Sequence, residues 1–95
     1  MTDLEKVHRD YRAAFLRYLP RREEAALHVG YKLGRSAVSD GLSILDLVQV
    51  HHEVFLEVLA DKGEDLSLVS TAASEFLLEV LATYDMAHRG FLPRS

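Results

Sequence analysis

Cysteine is missing from this 95-residue chain. Its absence excludes disulfides, thiol nucleophiles and cysteine-ligated zinc, and it fits a reducing compartment. Proline and glycine are scarce, at two and five residues, which leaves little room for long loops. No uninterrupted apolar run reaches the ~18–20 residues of a membrane span. The opening stretch, MTDLEKVHRDY, carries too much charge for a secretory signal. The expectation is a cytoplasmic protein with no membrane association.

What is present reads as one globular domain. Hydrophobic residues make up 48%, with four Phe and four Tyr, which separates the chain from disordered sequences. A domain of this size buries roughly 60–65% of its unfolded surface. The core is therefore thin, and a symmetric partner would enlarge it. Charge is unevenly spread. Residues 1–35 hold eight Lys and Arg against five acids, a balance of +3, whereas residues 36–95 hold three against ten, a balance of −7. The acidic part argues against nucleic acid as the partner.

The apolar spacing predicts four helices and no strands. The first runs from about Asp3 to Leu19, with Thr2 and Glu5 as a capping box and a stripe of Leu4, Val7, Tyr11, Ala14, Phe15 and Tyr18. Pro20 suits the first position of a second helix, which therefore starts there or just after and runs to about Ser39. Leu27, Gly30, Tyr31, Gly34 and Ala37 or Val38 share one of its sides. Two glycines inside a helix cost about 1 kcal/mol each against alanine, so another helix is expected to approach closely there. Gly41 ends this helix. Ser43 caps the third with Asp46 as its box partner, and that helix extends to about Ala60. Leu45, Val48, His51 or His52, Phe55 and Leu59 form its stripe. After the polar loop Asp61–Leu66, Asp65 or Ser67 caps a fourth helix that runs to about Arg89, with Gly90 as its left-handed terminus. Phe76, Leu77, Val80, Leu81, Tyr84 and Ala87 form the core face of this last helix. Leu78 and Ala82 sit off that stripe, on a flank with Thr71, Ser74, Glu75 and Asp85.

The five histidines do not assemble an obvious metal site. His51-His52-Glu53 lacks the second ligand of a His-Glu-x-x-His helix, since position 56 is Leu. Adjacent histidines also diverge by about 100° on a helix. The expected role is structural: one histidine hydrogen-bonded at the seam of the bundle. Glu53 with Glu57 and Glu75 with Glu79 are four apart, but neither belongs to the Glu-x-x-His pattern of di-iron bundles. Both pairs read as solvated faces, with Glu79 nearest to apolar neighbours. The basic residues Arg17–Arg22, Lys32 and Arg35 lack aromatic interleaving. No phosphate loop, nucleophile elbow or triad spacing is present, so no catalytic residue and no cofactor are expected.

Three pieces of the sequence then act together. Tyr11…Tyr18-Leu19 leads to Glu24-x-x-Leu27 and Lys32-x-x-Arg35. Leu45…Val50-His51…Val54 follows, and Phe76-Leu77-x-Glu79-Val80…Tyr84-x-Met86-Ala87 closes the pattern. Across nearly all of its length the chain resembles the N-terminal domain of RsbU, a stress-response phosphatase. The resemblance implies an all-α, antiparallel four-helix domain that forms a homodimer, as in the KaiA/RsbU-like bundles. It implies docking of an RsbT-like switch kinase, which activates a C-terminal metal-dependent serine phosphatase controlling sigma-factor activity. It places Glu24, His28, Leu78 and Ala82 on the partner-docking groove. Here position 28 is His where the family member compared has Tyr, and position 82 is smaller. The sequence ends at Ser95 with no phosphatase after it, so the expectation is a domain of a longer protein or a short relative. A second function class is a small-molecule- or metal-binding helical sensor built around His51, His52 and the gap at Gly30 and Gly34.

Overall fold

A computed structural model describes residues 3–62 and 66–91 of the chain. Four helices account for nearly all of them: α1 (Asp3–Tyr18), α2 (Glu24–Ser39), α3 (Ile44–Lys62) and α4 (Leu66–Phe91). The all-α class expected from the apolar spacing is what the chain adopts. Thr2 and Asp65, two of the expected capping residues, lie outside the described residues. Ser67 is not a cap, because α4 already includes it.

The connection between α1 and α2 differs from the expectation. Pro20 does not open α2. The Leu19 amide still donates to the Phe15 carbonyl at 2.9 Å, and the Arg22 amide returns to the Tyr18 carbonyl at 2.7 Å. Arg22 does this in a left-handed conformation, φ 52°, which cannot continue into a helix. Pro20, which has no amide proton to donate, therefore follows the end of α1. α2 begins only at Glu24, after an extended Glu23 whose side chain makes no capping bond.

The next connection follows the sequence closely. Gly41 is left-handed, φ 76°. Its amide donates to Val38 and the Leu42 amide donates to Ala37, the paired bonds of a Schellman terminus. Ser43 and Asp46 then exchange two 3.1 Å hydrogen bonds, amide to carboxylate and amide to hydroxyl. Gly90 is no such terminus: it lies within α4, and Gly41 is the one described glycine with a positive φ.

The core is centred on Phe76, which is fully buried. Tyr11 meets it edge-on with ring centres 5.2 Å apart, and Phe15 and Tyr18 lie at 5.8 and 5.7 Å. Such aromatic pairs add about 0.5–1.5 kcal/mol to the burial itself. Val80, Val69 and Ala72 extend the same face of α4.

α2 and α4 run side by side in the same sense, so an all-antiparallel arrangement does not describe these neighbours. A Cβ on Gly30 would meet the Phe76 ring and Val80; a Cβ on Gly34, one turn on, would meet the Thr83 hydroxyl, the Val80 carbonyl and the Tyr84 amide. The close helix approach expected at the two glycines is thus made within the chain itself. They no longer argue for a second chain, and no gap remains at them for a ligand. α4 is long and apolar enough to cross a bilayer by length and composition alone. Its apolar residues are in large part the core of this domain, and Glu75, Glu79 and Asp85 interrupt it.

α3 departs most from the expectation. Its buried face is Leu47, Val50, Val54 and Val58. The expected stripe faces away instead: Leu45 is 69% exposed, Val48 and His52 are exposed, and Phe55 and Leu59 are only partly buried. Both stripes have helical spacing, and it is Leu47 and the three valines that the other helices cover.

Candidate partner-docking face

The side chains between α1 and α3 are mostly engaged with one another. His8 bridges Glu53 and Glu57 at 3.2 and 3.0 Å, and Arg12 reaches Glu57 at 3.1 Å. Deeper in, the Tyr11 hydroxyl lies 2.9 Å from His51 Nδ1. Burial lowers the His51 pKa, with help from the neighbouring His52 charge, which favours the neutral ring; its tautomer sets which of the two groups donates. Burial also raises the Tyr11 pKa, which keeps the phenol protonated. His51 is thus the seam histidine expected from the sequence. Among the described residues, no group of three or more His, Asp or Glu side chains is arranged to hold a metal ion.

A second cluster joins α1 to α4. The Tyr18 hydroxyl donates to Glu75 at 2.9 Å, and Arg22 reaches the same carboxylate at 3.4 Å. Burial, followed by the Glu75 hydrogen bond and charge, pushes the Tyr18 pKa up to about 12. Glu75 is therefore held by partners rather than simply solvated.

The α2–α4 layer is different, because its outer side presents unused groups. Glu24 and His28 lie one turn apart on α2, both exposed. The helix continues this row with Tyr31 and Arg35, and the four residues span about 60° of its circumference. His28 stacks on Tyr31 with ring centres 5.3 Å apart and planes 10° apart, and Arg35 donates to the Tyr31 hydroxyl at 3.3 Å. On α4, Leu78 and Ala82 are exposed as expected, and Met86 extends their row by another turn. Leu78 and Met86 are each 68% exposed. Tyr31 and Arg35 from α2 and Met86 from α4 line one cavity of about 330 Å³, whereas Glu24, His28, Leu78 and Ala82 are not among its lining residues. No hydrogen bond, ion pair or ring contact joins Glu24 or His28 to Leu78 or Ala82. The charge of Glu24 acts instead on Tyr18, beside Glu75.

Tyr31, Arg35 and Met86 were not singled out as site residues in the sequence. The signal was available: 31 and 35 continue the 24, 28 row, and 86 continues 78 and 82, each at steps of three or four. The apolar spacing places Tyr31 on the core side of its helix, whereas it is only partly buried.

The arrangement has no nucleophile and base in register. It offers an ordered polar and aromatic row on α2 and an exposed apolar row on α4. Comparisons with curated proteins and with solved structures find no significant match. The family described as phosphoserine phosphatase RsbU, N-terminal domain, matches residues 9–87. The chain therefore belongs to the RsbU N-terminal domain family.

Proposed function

We propose that this domain docks an RsbT-like switch kinase through the α2–α4 face, as a cytoplasmic homodimer, and thereby activates a metal-dependent serine phosphatase that controls sigma-factor activity. Family membership makes it a regulatory domain of an RsbU-type phosphatase. The docking residues are Glu24, His28, Leu78 and Ala82, with Tyr31, Arg35 and Met86 as extensions of the two rows. Leu78 carries the reading: a large aliphatic side chain, 68% exposed on a helix whose other face is the core. A partner helix or flat apolar patch would bury it as the central anchor. Glu24 and His28 then set register and discriminate partners through charge.

The sensor reading has less support. Its cavity at Gly30 and Gly34 is filled by Phe76, Val80 and Thr83, and His51 is engaged by Tyr11.

Leu78→Asp tests the docking face. The substitution should abolish capture of an RsbT-like kinase, because the new carboxylate would be desolvated without a partner. Helical circular dichroism should stay unchanged, since Leu78 contributes nothing to the core. Undiminished kinase binding would reject the face.

A further inference from the structure

α3 carries more apolar surface than its own domain uses. Leu45, Val48, His52, Phe55 and Leu59 follow one another at steps of three, four, three and four, the rhythm of a helix seam. At 100° per residue, this row is centred roughly 135° from the buried row of Leu47, Val50, Val54 and Val58. Ile44 and Leu56 flank it and are exposed as well. No Asp, Glu, Lys or Arg stands among these seven positions.

We infer that this row is the seam of the homodimer, with α3 of a second copy packed antiparallel on it about a two-fold axis at His52. The inference rests on the dimer reading above and gives it a surface. Three observations favour a second copy as the occupant. The first is self-complementarity, which a two-fold interface demands. His52 stands seven residues from both Leu45 and Leu59, so an antiparallel pairing sets Leu45 on the partner's Leu59. The slimmer Val48 then meets the partner's bulkier Phe55, as interdigitating layers require. The second is charge. The chain carries a net −4, which opposes self-association, yet this row brings no ion into the contact and leaves none unpaired. The third is area. Sixteen residues of helix give a strip only about 24 Å long, and a stable dimer buries about 800 Å² per partner. A groove of about 590 Å³ between α1 and α3 adjoins the row on its α1 side; Leu4, Gln49 and Val50 line it beside Glu5, His8, Arg9, Arg12 and Glu53, so a contact that spreads into it keeps the apolar row at its centre and these ionisable groups at its rim, away from the α2–α4 face.

The absence of native cysteine makes the test clean. His52→Cys would carry the chain's one thiol on the two-fold axis, and mild oxidation should link most of it into a dithiothreitol-sensitive dimer. In an antiparallel pair, Val48→Cys places its two thiols about 12 Å apart along the axis, and it should link poorly. Light scattering should give about twice the 10.7 kDa chain mass for the wild type. It should give a single chain mass for the double variant Leu45→Glu, Leu56→Glu, with helical circular dichroism retained. His52→Leu should lower the dimer Kd on the order of tenfold, since a polar residue at a seam position weakens association. A dimer that persists in the double variant, with no link through His52→Cys, would overturn the α3 seam and leave the dimer reading intact. A monomeric wild type would overturn both. Equal linking of the two single-cysteine variants would overturn the antiparallel pairing. Should the double variant unfold, the two cysteine variants decide alone.

Discussion

α3 and α4 are both long and apolar, yet they distribute those residues differently. α4 gathers its core residues on one side and packs against α2 so closely that Gly34 leaves no room for a methyl group. Its other side exposes the Leu78, Ala82 and Met86 row, interrupted by carboxylates, and its first turn exposes Leu66 and Leu68. α3 divides its apolar residues between two opposed rows. The valine row enters the core; of the other row Leu45, Val48 and His52 stay outside, while Phe55 and Leu59 pack partly against the core. Helical spacing shows which residues share a side; packing decides which side is inward. α4 needed no such decision, because its second side is too polar to compete.

The core face of α4, which packs on both α1 and α2, should be the easiest part to break. Phe76→Ala removes a ring that touches Tyr11, Phe15 and Tyr18, and should cost on the order of 3–5 kcal/mol. Urea unfolding measures this, and a loss below 1 kcal/mol would show that α4 does not anchor the core as described. Gly34→Ala should come next. Its Cβ meets α4 backbone, which cannot rotate away, so about 1–3 kcal/mol is expected even after alanine's better helix propensity. Gly30→Ala sharpens the contrast, because its Cβ would lie 3.1 Å from the edge of the Phe76 ring, which can shift. It should be the milder change by at least about 1 kcal/mol. Equal effects at the two glycines would mean that α2 and α4 do not touch backbone to backbone at Gly34.

The α1–α3 contact should respond to pH instead. His51 is held below its ordinary pKa of 6.5 by burial and by His52. The unfolded chain therefore takes up the proton first as pH falls, and stability declines below about pH 6.5 until the folded ring also titrates. Above pH 6.5 the contribution of His51 is fully present. His51→Asn should flatten part of that acid slope, measured by urea unfolding at pH 7.5 and 5.5. An unchanged slope would remove His51 as its source. Tyr11→Phe leaves His51 Nδ1 without its hydrogen-bond partner and should cost about 1 kcal/mol at neutral pH.

Leu56→Glu should have the smallest effect on folding, within about 0.5 kcal/mol, as for other exposed positions, provided the measurement is made on monomer. A large loss there would place the outer row of α3 in the core after all.

Much of this fold was legible in the sequence. The Gly41 terminus and the Ser43–Asp46 cap are local bonds between residues three to five apart, so local chemistry specifies them. The Phe76 face of α4 was legible because its opposite side is polar. Pro20 misled because its place depends on Arg22 adopting a left-handed turn, which a residue other than glycine rarely does. The α3 row misled because two apolar periodicities overlap, and only the shape of α1 and α4 selects between them. Of the candidate site, Leu78 and Ala82 were visible as residues off the core stripe, whereas Glu24 and His28 came through family resemblance. The Tyr31–Arg35 extension was hidden because Tyr31 lies at the border between core and surface.

One titration tests the functional account most directly. An unlabelled RsbT-like kinase is added to the isotopically labelled domain, and amide and methyl shifts are followed by NMR. The account predicts shifts concentrated at Glu24, His28, Tyr31, Arg35, Leu78, Ala82 and Met86, with Leu45, Val48 and Leu56 unmoved. Shifts concentrated on the α3 row, with the α2–α4 face silent, would contradict it.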